Sequence, residues 1–277
     1  MRKRVAALND ISCFGRCSLT AALPIISAAG IETAVIPTAV LSTHTGGFKG
    51  YTFRDLTDDI LPIARHLNNE NIKFDTIYSG YLGSIAQAEI VNEAINLIKK
   101  DNSIVIVDPV MADFGKLYGG FESDFPQYMK KLVKKADIIT PNITEACFLT
   151  DIEYKPAPFG RDYIENLLSK LSKLTNASIV ITGVRFDEKS IGAVCCESGK
   201  SKFIFDKYYD VSFHGTGDVF SSVITAAVTK GKDLSEAVNA AVKFTSRCIK
   251  ATLFEDPDQR YSVNFENEIP YLIELVK

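Results

Sequence analysis

Four consecutive residues, Gly215-Thr216-Gly217-Asp218, join a flexible turn to a carboxylate, and a small-residue helical run from Val219 to Thr229 follows. A Gly-rich turn that opens a helix leaves backbone N–H groups unpaired and pointing outward. With the positive end of the helix dipole, those donors make an anion site. Asp218 stands where a carboxylate reaches into that site. The pairing points to phosphoryl transfer, with Asp218 as the base that takes the proton of an attacking hydroxyl. Taken alone, the same turn reads more readily as a helix start with an Asp cap. The helix dipole should hold the Asp218 carboxyl below its ordinary value of about 3.9.

A second group of acids carries compatible chemistry. Asp108, Asp113, Asn142 and Glu145 would suit a hydrated Mg²⁺, which keeps several waters and takes one or two carboxylates plus phosphate oxygens. Singly, Asp108 is a turn residue before Pro109 and Glu145 a first-turn charge on a helix dipole. Together with the anion turn they read as one site. His44 lies between Thr43 and Thr45 in a Gly-rich loop, either as a structural residue or as a substrate contact. His66 and His214 read as structural, and the three histidines show no metal spacing. Tyr81, in a tight Gly turn, is either a core aromatic or a lid stacked on a flat ring.

These residues need a frame. Strand patterns recur at Val5–Leu8, Glu32–Val40, Phe74–Tyr78, Ile104–Val107, 137–139 and Ser178–Thr182. Helical patterns fall between them, near 18–29, 55–68, 85–98, 122–135 and 161–174. Thr144 is read as the cap of a helix beginning at Glu145. A hairpin is expected around Ser198-Gly199, then helices at 218–230, 234–250 and about 266–276. Alternation of this kind predicts an α/β fold with a mostly parallel central sheet covered by helices on both faces. No linker or repeat divides it, so residues 1–277 read as a single domain. Ligands in such sheets bind beyond the carboxyl ends of the strands. Asp10, in a polar turn at 9–12, the Thr43–Gly47 loop, Ser79–Ser84, Asp108, Asn142 and Thr182 all fall there.

Composition narrows the class. The chain has 31 Lys and Arg against 34 Asp and Glu, for a net charge of −3. Neither a basic excess nor aromatic-basic interleaving points to nucleic acid. No apolar run approaches the length of a membrane span, and no signal-peptide core is evident. Six cysteines without a paired framework read as reduced thiols, with the cytoplasm as the expected compartment. No Gly-x4-Gly-Lys-Ser/Thr loop is present, which excludes a P-loop kinase, and the protein-kinase signatures are missing too.

Several stretches resemble the ribokinase-like superfamily, and within it the vitamin B6 (pyridoxal/pyridoxamine) kinases. They are Ser79-Gly80-Tyr81-Leu82-Gly83-Ser84, Asp108-Pro109-Val110-Met111, Asn142-x-x-Glu145, Gly215-Thr216-Gly217-Asp218 and Thr43-His44-Thr45-Gly46. The resemblance implies a ribokinase-like three-layer sandwich that phosphorylates the 5′-hydroxymethyl group of a pyridine ring with ATP. It implies Asp218 as base and Gly215, Thr216 and Gly217 as anion hole. Asp108, Asp113, Thr140 and Glu145 would serve Mg²⁺ and the phosphates, with Asn142 and Thr182 completing the ATP-binding set. Thr45, Tyr81, His44 and Asp10 would meet the substrate. Residues 111–121, with three glycines, would close over ATP. A monovalent cation (K⁺) beside Asp108 and Thr140, and a homodimer, are further implications. Asp10 departs from the family, which usually has Ser there; a hydroxymethylpyrimidine kinase is therefore the runner-up. A catalytically silent vitamer-binding protein would not need the base. A sugar or nucleoside kinase sits poorly with the Ser79–Ser84 turn.

Overall fold

A computed structural model describes residues 2–255 and 258–277. The first half of the chain forms β1 (Arg4–Ser12), α1 (Leu19–Ala28), β2 (Glu32–Leu41), β3 (Phe53–Asp55), α2 (Thr57–Asn69), β4 (Phe74–Ser79), α3 (Ile85–Ile98) and β5 (Lys99–Val107). A small pair, β6 (Ala112–Asp113) and β7 (Lys116–Leu117), precedes α4 (Phe125–Val133), β8 (Ile138–Ile139), α5 (Ile143–Thr150) and α6 (Arg161–Leu174). Then come β9 (Ser178–Val184), β10 (Ser190–Glu197), β11 (Lys200–Lys207), α7 (Thr216–Thr229), α8 (Leu234–Glu255) and α9 (Ile269–Leu275).

Among the described residues, nine strands form one sheet in the order β11-β10-β9-β8-β5-β4-β1-β2-β3. From β2 through β9 the neighbours are parallel; β3 and β10 run antiparallel to them, and the edge strand β11 pairs antiparallel with β10. This is the expected α/β class with a mostly parallel sheet. The central strands are apolar on both sides, as a sheet covered twice requires. In β1, Ala6 and Leu8 join the core beneath α2 to α6, whereas Val5 and Ala7 join the core beneath α1, α7 and α8.

The order of strands locates the crevice. β2 lies on one side of β1, and the chain then crosses to β4 on the other. Crossovers leaving in opposite directions open a gap at the carboxyl ends of β1 and β4, where ligands bind in open α/β sheets. Asn9, Asp10 and Ser79 stand at those ends.

Three local expectations need correction. β1 does not stop at Leu8; it continues to Ser12 through a bulge between Asn9 and Ile11. Asp10 is therefore a buried strand residue and not part of a turn. Thr144 is not the cap of α5: Asn142 is, with its side chain accepting from the Glu145 N–H and Glu145 reaching back to the Asn142 N–H. That reciprocal pair satisfies two otherwise unpaired donors. Edge strand β3, exposed at all three residues, was not expected at all.

Candidate active site

Gly215 makes the anion turn possible. It caps α7 with φ +79°, a left-handed conformation that a residue without Cβ adopts freely. A Cβ there would meet the Arg16 carbonyl at 2.5 Å and Cys17 Sγ at 2.6 Å. The turn is thus pressed against the segment that enters α1. Gly217 differs: a Cβ there would meet nothing within 4 Å, so the space before it belongs to the cleft. Behind the turn, α7 is buried from Val219 to Thr229. Two of its hydroxyls are satisfied within the helix, Thr225 and Thr229 donating to the carbonyls four residues back.

Asp218, in the first turn of α7, keeps some surface open to the cleft and is otherwise crowded by protein. Burial pushes its carboxyl up to about 7, and the charge of Asp10 adds to this. The Ser18 N–H and the Asn9 amide act in the opposite direction. The downward shift expected from the helix dipole is overturned, because loss of solvent outweighs a partial charge. Ser18 holds φ +53° and ψ −131°, a strained region for a residue with a side chain. In that conformation its N–H lies near enough to Asp218, and its hydroxyl near enough to Asp10, to lower both carboxyls.

Asp10 is buried, accepts from the Ser12 hydroxyl at 3.0 Å, and is shifted upward by burial. Its charge is felt by Tyr81, whose phenol burial raises to about 12. The Tyr81 ring lies 5.6 Å from that of Phe121. Tyr81 therefore spans the gap between β4 and the 111–121 segment.

Asp108 ends β5. It is buried and accepts from Ser221 Oγ at 2.9 Å; Ser221 in turn lies 3.0 Å from Thr140 Oγ1. Burial, then the charge of Asp218, pushes Asp108 up to about 8. Glu145 is also raised by burial and by Asp108, although it accepts from the Asn142 N–H at 2.9 Å and the Met111 N–H at 3.1 Å. Asp113 is shifted upward by burial. Thr182 bridges to Asn142 in the same layer.

Among the described residues, none of Asp10, Asp108, Asp113, Glu145 and Asp218 is ion-paired to a lysine or arginine. No three His, Cys, Asp or Glu side chains among them are gathered as a finished metal cage. Hard carboxylates lacking countercharge nonetheless match what Mg²⁺ takes.

The 111–121 segment is a small hairpin. Phe114 and Gly115 turn between β6 and β7 with φ of +48° and +77°, the pattern of a two-residue primed turn. It is tied to α5 at its first strand and at its turn: the Asn142 amide donates to the Ala112 carbonyl at 2.8 Å, and the Gly115 N–H to Thr144 Oγ1 at 3.1 Å. Tyr154 closes around Gly115, so freedom to move belongs to Gly119 and Gly120, which are open all round. Tyr118, which sequence reasoning missed, places its phenol in the field of Glu145, Asp113, Asp218 and Asp108.

His44 is engaged within the protein through both ring nitrogens. Its Nε2 donates to the Arg260 carbonyl at 2.6 Å, and its Nδ1 accepts from the Gly46 N–H at 3.2 Å. With both ring nitrogens used, it fixes the Thr43–Gly47 loop, which carries Thr45, against the 258–261 segment. The exposed His214 fills the space in front of Gly46. A 670 Å³ hollow around Lys3, Asp75, Lys100 and Lys230 lies at the opposite, amino ends of the strands, away from this chemistry.

The sequence model of a family described as phosphomethylpyrimidine kinase matches residues 15–259. A Bacteroides thetaiotaomicron protein assigned to the phosphomethylpyrimidine kinases and crystallised with pyridoxal is 36% identical, with a TM-score of 0.91 over 98% of this chain and 96% of that one. The pyridoxal kinase of Lactobacillus plantarum is 29% identical, with a TM-score of 0.90 over 99% and 98% of the two chains. A Staphylococcus aureus hydroxymethylpyrimidine/phosphomethylpyrimidine kinase is 31% identical over 209 residues, 68% of this chain and 72% of that one.

Proposed function

The chain belongs to the phosphomethylpyrimidine kinase family of ribokinase-like enzymes, and from that premise we propose that it phosphorylates the 5′-hydroxymethyl group of a B6 vitamer with ATP. The observation that carries this reading is Asp218: a carboxyl pushed up to about 7, in the first turn of α7, next to an open Gly217. A base of that pKa is matched to neutral pH. It orients the hydroxyl and accepts its proton as the new oxygen–phosphorus bond forms. The N–H groups of Gly215, Thr216 and Gly217 face the charge on the transferred phosphoryl group.

Asp108, Asp113, Thr140 and Glu145 would hold Mg²⁺, which neutralises phosphate charge, and K⁺ would sit beside Asp108 and Thr140. Asn142 and Thr182 border the nucleotide. Thr45 and Tyr81 hold the ring, and the 111–121 hairpin closes from Gly119-Gly120 to exclude water. Residues 1–277 act as one kinase domain, in the cytoplasm and as a homodimer. Among the described residues, no helix is long and apolar enough to cross a membrane.

Asp10 favours a second reading, hydroxymethylpyrimidine as acceptor, because a buried carboxylate accepts well from an exocyclic amine. The test is a panel of pyridoxal, pyridoxamine, pyridoxine and hydroxymethylpyrimidine with Mg-ATP, scored for ADP release and phosphorylated product. Turnover of a B6 vitamer is expected. Turnover of hydroxymethylpyrimidine alone would hand the site to the second reading, and turnover of none would refute both.

A further inference from the structure

Asn9 is fully buried at the carboxyl end of β1, one residue before Asp10. Its Oδ1 accepts two backbone donors, the Asp10 N–H at 3.0 Å and the Tyr81 N–H at 2.8 Å. Those donors settle which way the amide faces: the oxygen must lie toward them, so the NH₂ group is turned the other way. Nδ2 is buried and has no hydrogen-bond partner of normal geometry within the protein. Gly80 leaves the space that the amide occupies, since a Cβ there would come within 2.2 Å of Nδ2. A donor buried, anchored and unpaired in this way is costly unless it has a task.

From this geometry we infer that Asn9 is a positioning residue for the base: its amide donates to the Asp218 carboxylate when substrate is bound and holds one oxygen toward the 5′-hydroxyl. The inference rests on Asp218 being the base. Asn9 lies close enough to lower the Asp218 pKa, although the bond is not closed in the free protein. The Ser18 N–H is a second donor near the same carboxyl, which it also lowers. Two donors from two elements, the end of β1 and the start of α1, fix a carboxylate more firmly than one. Sequence reasoning treated Asn9 only as a turn residue.

The test compares wild type, Asn9→Asp, Asn9→Ser and Gly80→Ala, with Asp218→Asn as the reference for loss of the base. Asn9→Asp keeps an oxygen for the Asp10 and Tyr81 N–H groups and replaces the donor with a repelling oxygen. Asn9→Ser removes atoms and cannot clash. Gly80→Ala leaves Asn9 intact but displaces its amide. In whichever of these variants fold by circular dichroism, kcat is expected to fall about 10- to 100-fold. The KM values for ATP and vitamer should stay within about threefold, because the donor acts through the base and not on ground-state binding. A folded variant with kcat within about twofold of wild type, beside an inactive Asp218→Asn, overturns the inference and leaves the proposed function standing. A wild-type protein without kinase activity overturns both.

Discussion

Ser18 stands between two acids: its backbone N–H lowers the Asp218 carboxyl and its hydroxyl that of Asp10, and it holds a strained φ of +53°. One residue at the start of α1 thereby links the proposed base on α7 to the acid in the bulge of β1. Strain of this kind costs about 1–3 kcal/mol. Ser18→Gly, which relieves the strain but loses the hydroxyl, should be about 1 kcal/mol more stable than Ser18→Ala, which keeps the strain. Urea unfolding of the two variants checks this. Equal midpoints would mean that the backbone at residue 18 is not strained.

The pH dependence follows from the direction of the Asp218 shift. A base works deprotonated, and burial pushes this carboxyl up to about 7. kcat/KM should therefore fall as pH drops below about 7, by roughly tenfold per unit. For stability the sign is opposite. The folded chain binds more protons than the unfolded one between about pH 4 and 7, so this group's contribution is lost as pH rises through that window. A rate profile flat down to pH 5 would return Asp218 to the ordinary carboxylate range.

Glu145→Gln should cost stability as well as activity. Both carboxylate oxygens accept backbone N–H groups, from Asn142 and Met111. Glutamine keeps one acceptor and turns an NH₂ toward the other donor. Hydrogen bonds to a charged group are worth about 1.5–3 kcal/mol, and a loss in that range is expected by thermal or urea unfolding. An unchanged midpoint with a raised Mg²⁺ requirement would assign Glu145 to the metal alone.

Asp10 should select among acceptors. A buried carboxylate accepts from an amine or hydroxyl and gives nothing to a bare carbonyl oxygen unless protonated. Pyridoxamine or pyridoxine should therefore exceed pyridoxal in kcat/KM. Asp10→Ser should level the ranking. If the three vitamers keep their order in the variant, Asp10 does not select the substrate.

Much of the site was legible because its signals are local. Gly215 to Asp218 joins a glycine that needs a left-handed φ to a carboxylate in the next turn, and Asn142 with Glu145 spells a capping box. The pairing of Asn142 with Glu145 reads as chemistry and hides its capping role, so the expected cap falls on Thr144 and not on Asn142. What stayed hidden depends on distant partners. His44 owes its place to the Arg260 carbonyl, 216 positions away. Asn9 is anchored by Tyr81, 72 positions on. Tyr118 reaches the acids only because the hairpin folds back on α5. The bulge in β1 was illegible for another reason: Asn9-Asp10 has turn composition, and burial in the crevice overrode it.

The central claim is that Asp218 is the base in ATP-dependent phosphorylation of a B6 vitamer. Its most direct test is kcat for pyridoxamine, pyridoxine and pyridoxal with Mg-ATP in wild type and Asp218→Asn, with ATP binding measured alongside. Loss of about 10²–10⁴ in kcat with ATP affinity nearly intact is the expected result. A variant that turns over at close to the wild-type rate would contradict the account.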